Sequence, residues 1–151
     1  PDIEEPVVRG RMMFWQLAVT ALDPRRYGET RSIKMATDTQ VDVWHYGTAP
    51  AVPVFEVTGS SPSGYRISYQ DGSALEYTGA LAAGEVHRVD MGTGRVYVGD
   101  TSGVYGTAIL TLYGAVNTFR IKPGPAQKVR IAPLSAGAPL VTYCEVTDTW
   151  P

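Results

Sequence analysis

At 151 residues, 44% of them hydrophobic, the chain has the length of one domain and can bury a core without disulfide or metal staples. Its 13 basic and 15 acidic side chains leave a formal net charge of −2. They do not gather into a run, and Arg25 and Arg26 are the only adjacent basic residues, which argues against nucleic acid or an anionic membrane as a partner. The single cysteine, Cys144, has no second cysteine with which to form a disulfide, redox pair or zinc site. It is expected to be a small buried side chain.

The 16 glycines and 11 prolines are spread so evenly that long helices are nearly excluded, each one costing a helix interior roughly 1 or 3 kcal/mol. No apolar run approaches the length that crosses a bilayer, and the opening PDIEEPVVRG is acidic where a secretory leader is basic. The opening proline suggests that the chain continues upstream.

Between the breakers lie short runs rich in Val, Ile, Thr and Tyr, which predict strands in chain order. They fall at 12–22, 31–37, 40–46, 52–58, 65–70, 74–78, 85–91, 95–99, 108–113, 119–121, 127–132 and 140–148. The first, MMFWQLAVTAL, is apolar on both faces and is expected to pair outside the main sheets. In YGTAPAVPVFEVTG (46–59), Pro50 and Pro53 lack the N–H a sheet interior needs, so the strand they deliver is expected at an edge. Asp71-Gly72 between two alternating runs predicts a hairpin with a primed two-residue turn. In EVHRVDM, Val86, Arg88 and Asp90 oppose His87, Val89 and Met91, a mixed pattern that predicts another edge. MGTG (91–94) and GDTSG (99–103) read as turns. Period-2 alternation with a turn every 8 to 12 residues predicts an all-β fold, an antiparallel β-sandwich with little or no helix.

Residues that carry chemistry are few. His45 and His87 lie on predicted strands with no second histidine or cysteine at ligand spacing, and each reads as structural. GSSPSG and GDTSG lack the G-x-S-x-G pattern and a following helix. GTGRVYVG precedes a strand where a phosphate loop needs a helix. No catalytic residue, metal site or cofactor is expected. The aromatic set offers more, because aromatic faces stack on sugar rings. Trp44 and Tyr46 share one face of QVDVWHY beside the prolines, and Tyr65 pairs with Tyr69 in the same way. Either pair can form a saccharide platform or an interface, although packing is the commoner use of such residues.

The order FWQLAVTALDPRRYG, VWHYGTAPAVPVFEVTG, ALEYTGALAAGEVHRVDMGTGRVYV, FRIKPGPAQKVRI resembles the C-terminal half of the distal tail proteins of long-tailed bacteriophages. The residues that carry the likeness are Leu22, Asp23, Pro24 and Tyr27, then Gly47 to Gly59, then Leu81, Gly84, Glu85 and Asp90. Pro123, Gly124, Val129 and Ile131 complete it. The resemblance implies a galectin-like, jelly-roll-like sandwich at 29–151, with 1–28 as the exit strand and linker of a mostly absent N-terminal belt domain. YGTAPAVPVFEVTG would then be the hinge and first full strand of that sandwich.

It implies a non-enzymatic structural protein of the virion tail tip. Such a protein assembles as a ring of its own copies, a hexamer in the full-length form, and joins the tail tube to tip proteins. Its outer sandwich docks adsorption proteins or meets the host surface. The histidine-asparagine-arginine strand motif of true galectins is missing, since Asn117 is the only asparagine. The alternative is a non-catalytic carbohydrate-binding module for host cell-wall saccharide, with Trp44 and Tyr46 as its contacts.

Overall fold

A computed structural model describes residues 25–100, 105–111, 113–114, 119–136 and 139–151, and shows no helix among them. The strand expected at 12–22 and most of the GDTSG turn lie outside the described residues. Among the described residues there are eleven strands: β1 Arg26–Ala36, β2 Gln40–Val43, β3 Val54–Thr58, β4 Tyr65–Tyr69, β5 Ala74–Tyr77, β6 Glu85–Asp90, β7 Arg95–Asp100, β8 Tyr105–Thr111, β9 Tyr113–Gly114, β10 Gln127–Pro133 and β11 Val141–Trp150. They form two antiparallel sheets. One has six strands in the order β1-β11-β3-β6-β7-β8, the other five in the order β2-β10-β4-β5-β9. The all-β sandwich read from the spacing of breakers and alternating runs is the fold observed.

The core lies between the sheets and follows from alternation. Phe55 and Val57 of β3, Val89 of β6, Val96 of β7 and Cys144 and Val146 of β11 meet Ile67, Leu75, Val129 and Ile131 of the opposite sheet, all at most 1% exposed. Phe119 closes the space between them, edge-on to Phe55 at 5.9 Å and tilted against Tyr69 at 5.4 Å between ring centres. Cys144 is part of this core, and burial pushes its thiol well above the ordinary range. It is a packing residue.

Several expectations from the sequence are corrected. β3 is not an edge strand, since it pairs with β11 from Val54↔Glu145 to Thr58↔Val141 and with β6 from Val54↔Asp90 to Thr58↔Val86. The prolines stop one residue short of it. Both N–H and C=O of Ala51, between them, bond Ile121 instead. Nor is β3 the first full strand, because β1 and β2 precede it. β6 is interior too, flanked by β3 and β7. Its mixed pattern arises because His87 is buried and Arg88 is half-covered by neighbouring carboxylates on the outer face.

The segment 119–121 makes only an isolated bridge, Ala51↔Ile121. The hairpin β4–β5 is present, but not with a primed turn. Gly72 N–H donates to Tyr69 O (3.0 Å) and Tyr69 N–H to Ser73 O (2.9 Å), so the loop is one residue longer than Asp-Gly alone supports. Only Gly72 takes positive φ there, at 86°, as in a turn followed by a glycine bulge.

Candidate functional site

After β2 the chain continues to alternate through 44–46, so Trp44 and Tyr46 point out and His45 points in. Trp44 is 38% exposed, Tyr46 69% and His45 3%. The face shared by Trp44 and Tyr46 is therefore real, although their rings make no contact with each other. His45 is fixed at both nitrogens. Gly47 N–H donates to Nδ1 (3.1 Å), which places the proton on Nε2, and Nε2–H donates to Ile121 O (3.1 Å). The histidine is a buried brace, with neither nitrogen offered to a substrate.

This brace holds the 44–51 segment against the end of β11. Tyr46 N–H donates to Asp148 Oδ1 (2.8 Å), and Ala49 N–H to Thr149 O (2.9 Å). Gly47 passes so close that a Cβ there would lie 2.0 Å from Thr149 O. Arg31 of β1 reaches over from the other side. Its Nη1 donates to Asp148 Oδ1 (2.5 Å), and its guanidinium carbon stands 4.3 Å from the centre of the Tyr46 ring. The hydrogen bond from Arg31, with that from Tyr46 N–H, holds the Asp148 carboxyl below its ordinary range. The result is a mostly exposed aromatic ring with a cation over one face. Beside it a depression of about 520 Å³ is lined by Arg26, Tyr27, Thr48, Trp150 and Pro151.

The other proposed platform does not exist. Tyr65 is 1% exposed and Tyr69 8%, because both side chains point between the sheets. Tyr65 stacks on Tyr77 at 5.2 Å, and its hydroxyl lies 3.2 Å from His87 Nδ1. His87 Nε2 has no hydrogen-bond partner, with Glu85 Oε2 at 3.7 Å and the Tyr77 ring edge-on at 4.9 Å.

Burial lowers the pKa of His87, and nearby Glu85 offsets part of that shift. The unfolded chain therefore binds a proton more readily than the folded one. Stability contributed by neutral His87 is fully present above the ordinary histidine value near 6.5 and is lost as pH falls below it. Denaturant titrations at pH 7.5 and 5.5 are expected to show a larger loss of stability for the native chain than for His87→Gln; equal losses would refute this reading.

Sequence reasoning missed a second cluster, on the outer face of the six-stranded sheet. Register sets Glu56 of β3 opposite Arg88 of β6 and opposite Tyr143 of β11. Arg88 donates from Nη1 to Glu56 Oε1 (3.0 Å) and from Nη2 to Glu145 Oε2 (3.2 Å). The Tyr105 hydroxyl donates to the same Glu56 oxygen (2.7 Å). Desolvation, with that bond to Glu56, pushes the Tyr105 phenol up to about 12. The signal in the sequence was an outward charge on each of three strands, Glu56, Arg88 and Glu145, and only the pairing order makes them neighbours.

No protein-family model matches the chain, and neither does any curated protein. Among solved structures the chain is similar to that of the SPP1 Dit (gp 19.1) protein, described as a paradigm of the hub adsorption apparatus in phages that infect Gram-positive bacteria. The TM-score is 0.59 and the sequence identity 16%. The match covers 86% of this chain and 50% of the other, so this chain spans about half the length of that protein. What the two share is the fold: over most of its length the chain is folded like part of a phage hub protein.

Proposed function

We propose that the chain is the outer β-sandwich of a distal tail protein, a structural component of the bacteriophage tail tip whose work is done by surfaces. One observation carries this reading. The sandwich is shared across 86% of the chain with a hub adsorption protein, although the two sequences are only 16% identical. The order of the Leu-Asp-Pro, GTAPA and Pro-Gly segments supports it from the sequence side.

In this reading residues 1–28 are the exit strand and linker from a belt domain, and 29–151 are the sandwich. Copies of the full protein form a ring, a hexamer, between the tail tube and the tip proteins, and the sandwich docks adsorption proteins or meets the host surface. No catalysis is assigned to it. Trp44 and Tyr46 are contact residues for a neighbouring subunit or a cell-wall saccharide, with Arg31 and Asp148 holding Tyr46 in place. The test is the position of the chain in the particle, read by labelling virions with antibody raised against residues 25–151.

A further inference from the structure

His87 lies near the end of the sandwich opposite Trp44 and Tyr46. Register sets its neighbour Val86 beside Thr58, and Thr58 beside Val141 where β11 begins, whereas the 44–51 segment packs where β11 ends. Among the described residues, the titratable groups that face the His87 ring are Tyr65 of β4 and Tyr77 of β5 from the opposite sheet, and Glu85 from its own strand. The strands on either side of β6 set Val57 and Val98 opposite it, and neither carries charge.

The two ring nitrogens are treated unequally. Nδ1 lies 3.2 Å from the Tyr65 hydroxyl, while Nε2 is buried without a hydrogen bond. Glu85 Oε2 stands 3.7 Å from Nε2, just beyond hydrogen-bond reach. A carboxylate on that side favours the proton on Nε2, so the Tyr65 hydroxyl donates to Nδ1. A buried N–H left unpaired is costly, and an approach of the carboxylate by roughly 1 Å would satisfy it.

With the ring neutral, Glu85 is held elsewhere. The same oxygen accepts from Ala82 N–H (2.9 Å), and Glu85 N–H donates to Ala82 O (3.1 Å), so the carboxylate closes the turn that leads into β6. Leu81, next in the chain, is buried and exchanges two hydrogen bonds with Ser61, both of 2.9 Å. Ser61 Oγ in turn donates to Gly64 O (2.6 Å). A movement of Glu85 toward the ring is therefore passed to Leu81 and to the 59–64 loop.

Protonation changes both sides of the ring at once. Nδ1 becomes a donor, so the Tyr65 hydroxyl must turn from donor to acceptor. Nε2–H then carries part of a positive charge in a poorly solvated site, where its attraction for the carboxylate is strong. We propose that His87 and Glu85 form a proton-operated latch: in acid the imidazolium draws the Glu85 carboxylate off Ala82 N–H and shifts the 81–85 turn, and Ser61 with it, at this end of the sandwich. Because burial favours the neutral ring, the latch works on the acid side of the ordinary histidine value. It needs nothing from the tail assignment.

The test is a titration of the isotopically labelled chain of 151 residues from about pH 8 to about pH 4.5, followed at the His87 ring and at the backbone amides. The amides of Ser61, Leu81, Ala82 and Glu85 are expected to shift together, at the midpoint of the ring and below pH 6.5. Glu85→Gln keeps an acceptor for Ala82 N–H but removes the charge. It should move the ring's midpoint further into acid and reduce the amide shifts about twofold, since a charge-assisted hydrogen bond is roughly twice as strong as a neutral one. His87→Gln should abolish them. Amide shifts that persist in His87→Gln belong to Glu85 alone and overturn the proposal. So do a ring that titrates while Leu81 and Ser61 stay still, and a ring midpoint that Glu85→Gln leaves unchanged. Loss of all native resonances before the ring titrates would make His87 a stability residue only and overturn it as well.

Discussion

Gly64→Ala is expected to be the most damaging single-methyl change among the described glycines, costing at least about 3 kcal/mol and lowering the melting temperature by roughly 10 °C or more. Gly64 has φ of +87°, where an L-residue is strained by roughly 1–2 kcal/mol. Strain is the smaller part of the effect. An added Cβ would lie 1.7 Å from Tyr77 O and 2.8 Å from Gly79 O, both backbone atoms that cannot swing aside. Gly64 O also accepts from Ser61 Oγ (2.6 Å) and Leu134 N–H (3.0 Å), so displacing it disturbs the exits of β5 and β10 together. Gly72→Ala is the control. Its φ of +86° is the same, but nothing lies within 4 Å of the added methyl, so only the strain remains. Thermal melts of the two variants separate these contributions, and equal losses would contradict the close approach at Gly64.

Phe119→Ala should cost about 3–5 kcal/mol, the range for removing a buried aromatic ring and leaving a cavity. The ring is 1% exposed and touches one aromatic from each sheet, Phe55 and Tyr69, so its loss opens the interface that makes two sheets a sandwich. Its own backbone belongs to no strand, and no ladder compensates. Chemical denaturation checks the value. A loss under about 1 kcal/mol would mean that the two layers collapse to fill the space.

The sequence revealed the class of fold because alternation and breaker spacing are local signals, and each survives in the structure almost segment by segment. β5 and β6 begin at the residue where their runs begin, and Val57, Ile67, Val89 and Ile131 all point into the core. What failed was whatever depends on which strand lies beside which. Pro50 and Pro53 read as edge markers only if they belong to the strand, yet the strand starts at Val54, after both, so their missing N–H groups cost its ladder nothing. Tyr65 and Tyr69 alternate correctly onto one face, but alternation does not say whether that face is inside, and it is.

The candidate site divides in the same way. The outward pair Trp44 and Tyr46 was legible from period 2 alone. The clamp on Tyr46 was not, because Arg31 and Asp148 lie far away along the chain and meet through the β1–β11 pairing. The Glu56–Arg88–Glu145 network is invisible for the same reason, each residue resembling an ordinary solvated charge until β3, β6 and β11 are placed side by side.

The central claim, that this sandwich is a structural part of a phage tail tip, is tested most directly by electron microscopy of intact particles labelled with gold-conjugated antibody to residues 25–151. The account predicts gold at the distal end of the tail, with none on the head or along the tube, and loss of the label when the antibody is first absorbed with the isolated chain. Absorbable label on the head or along the tube, or particles that carry none while the free chain is abundant in the lysate, would contradict it.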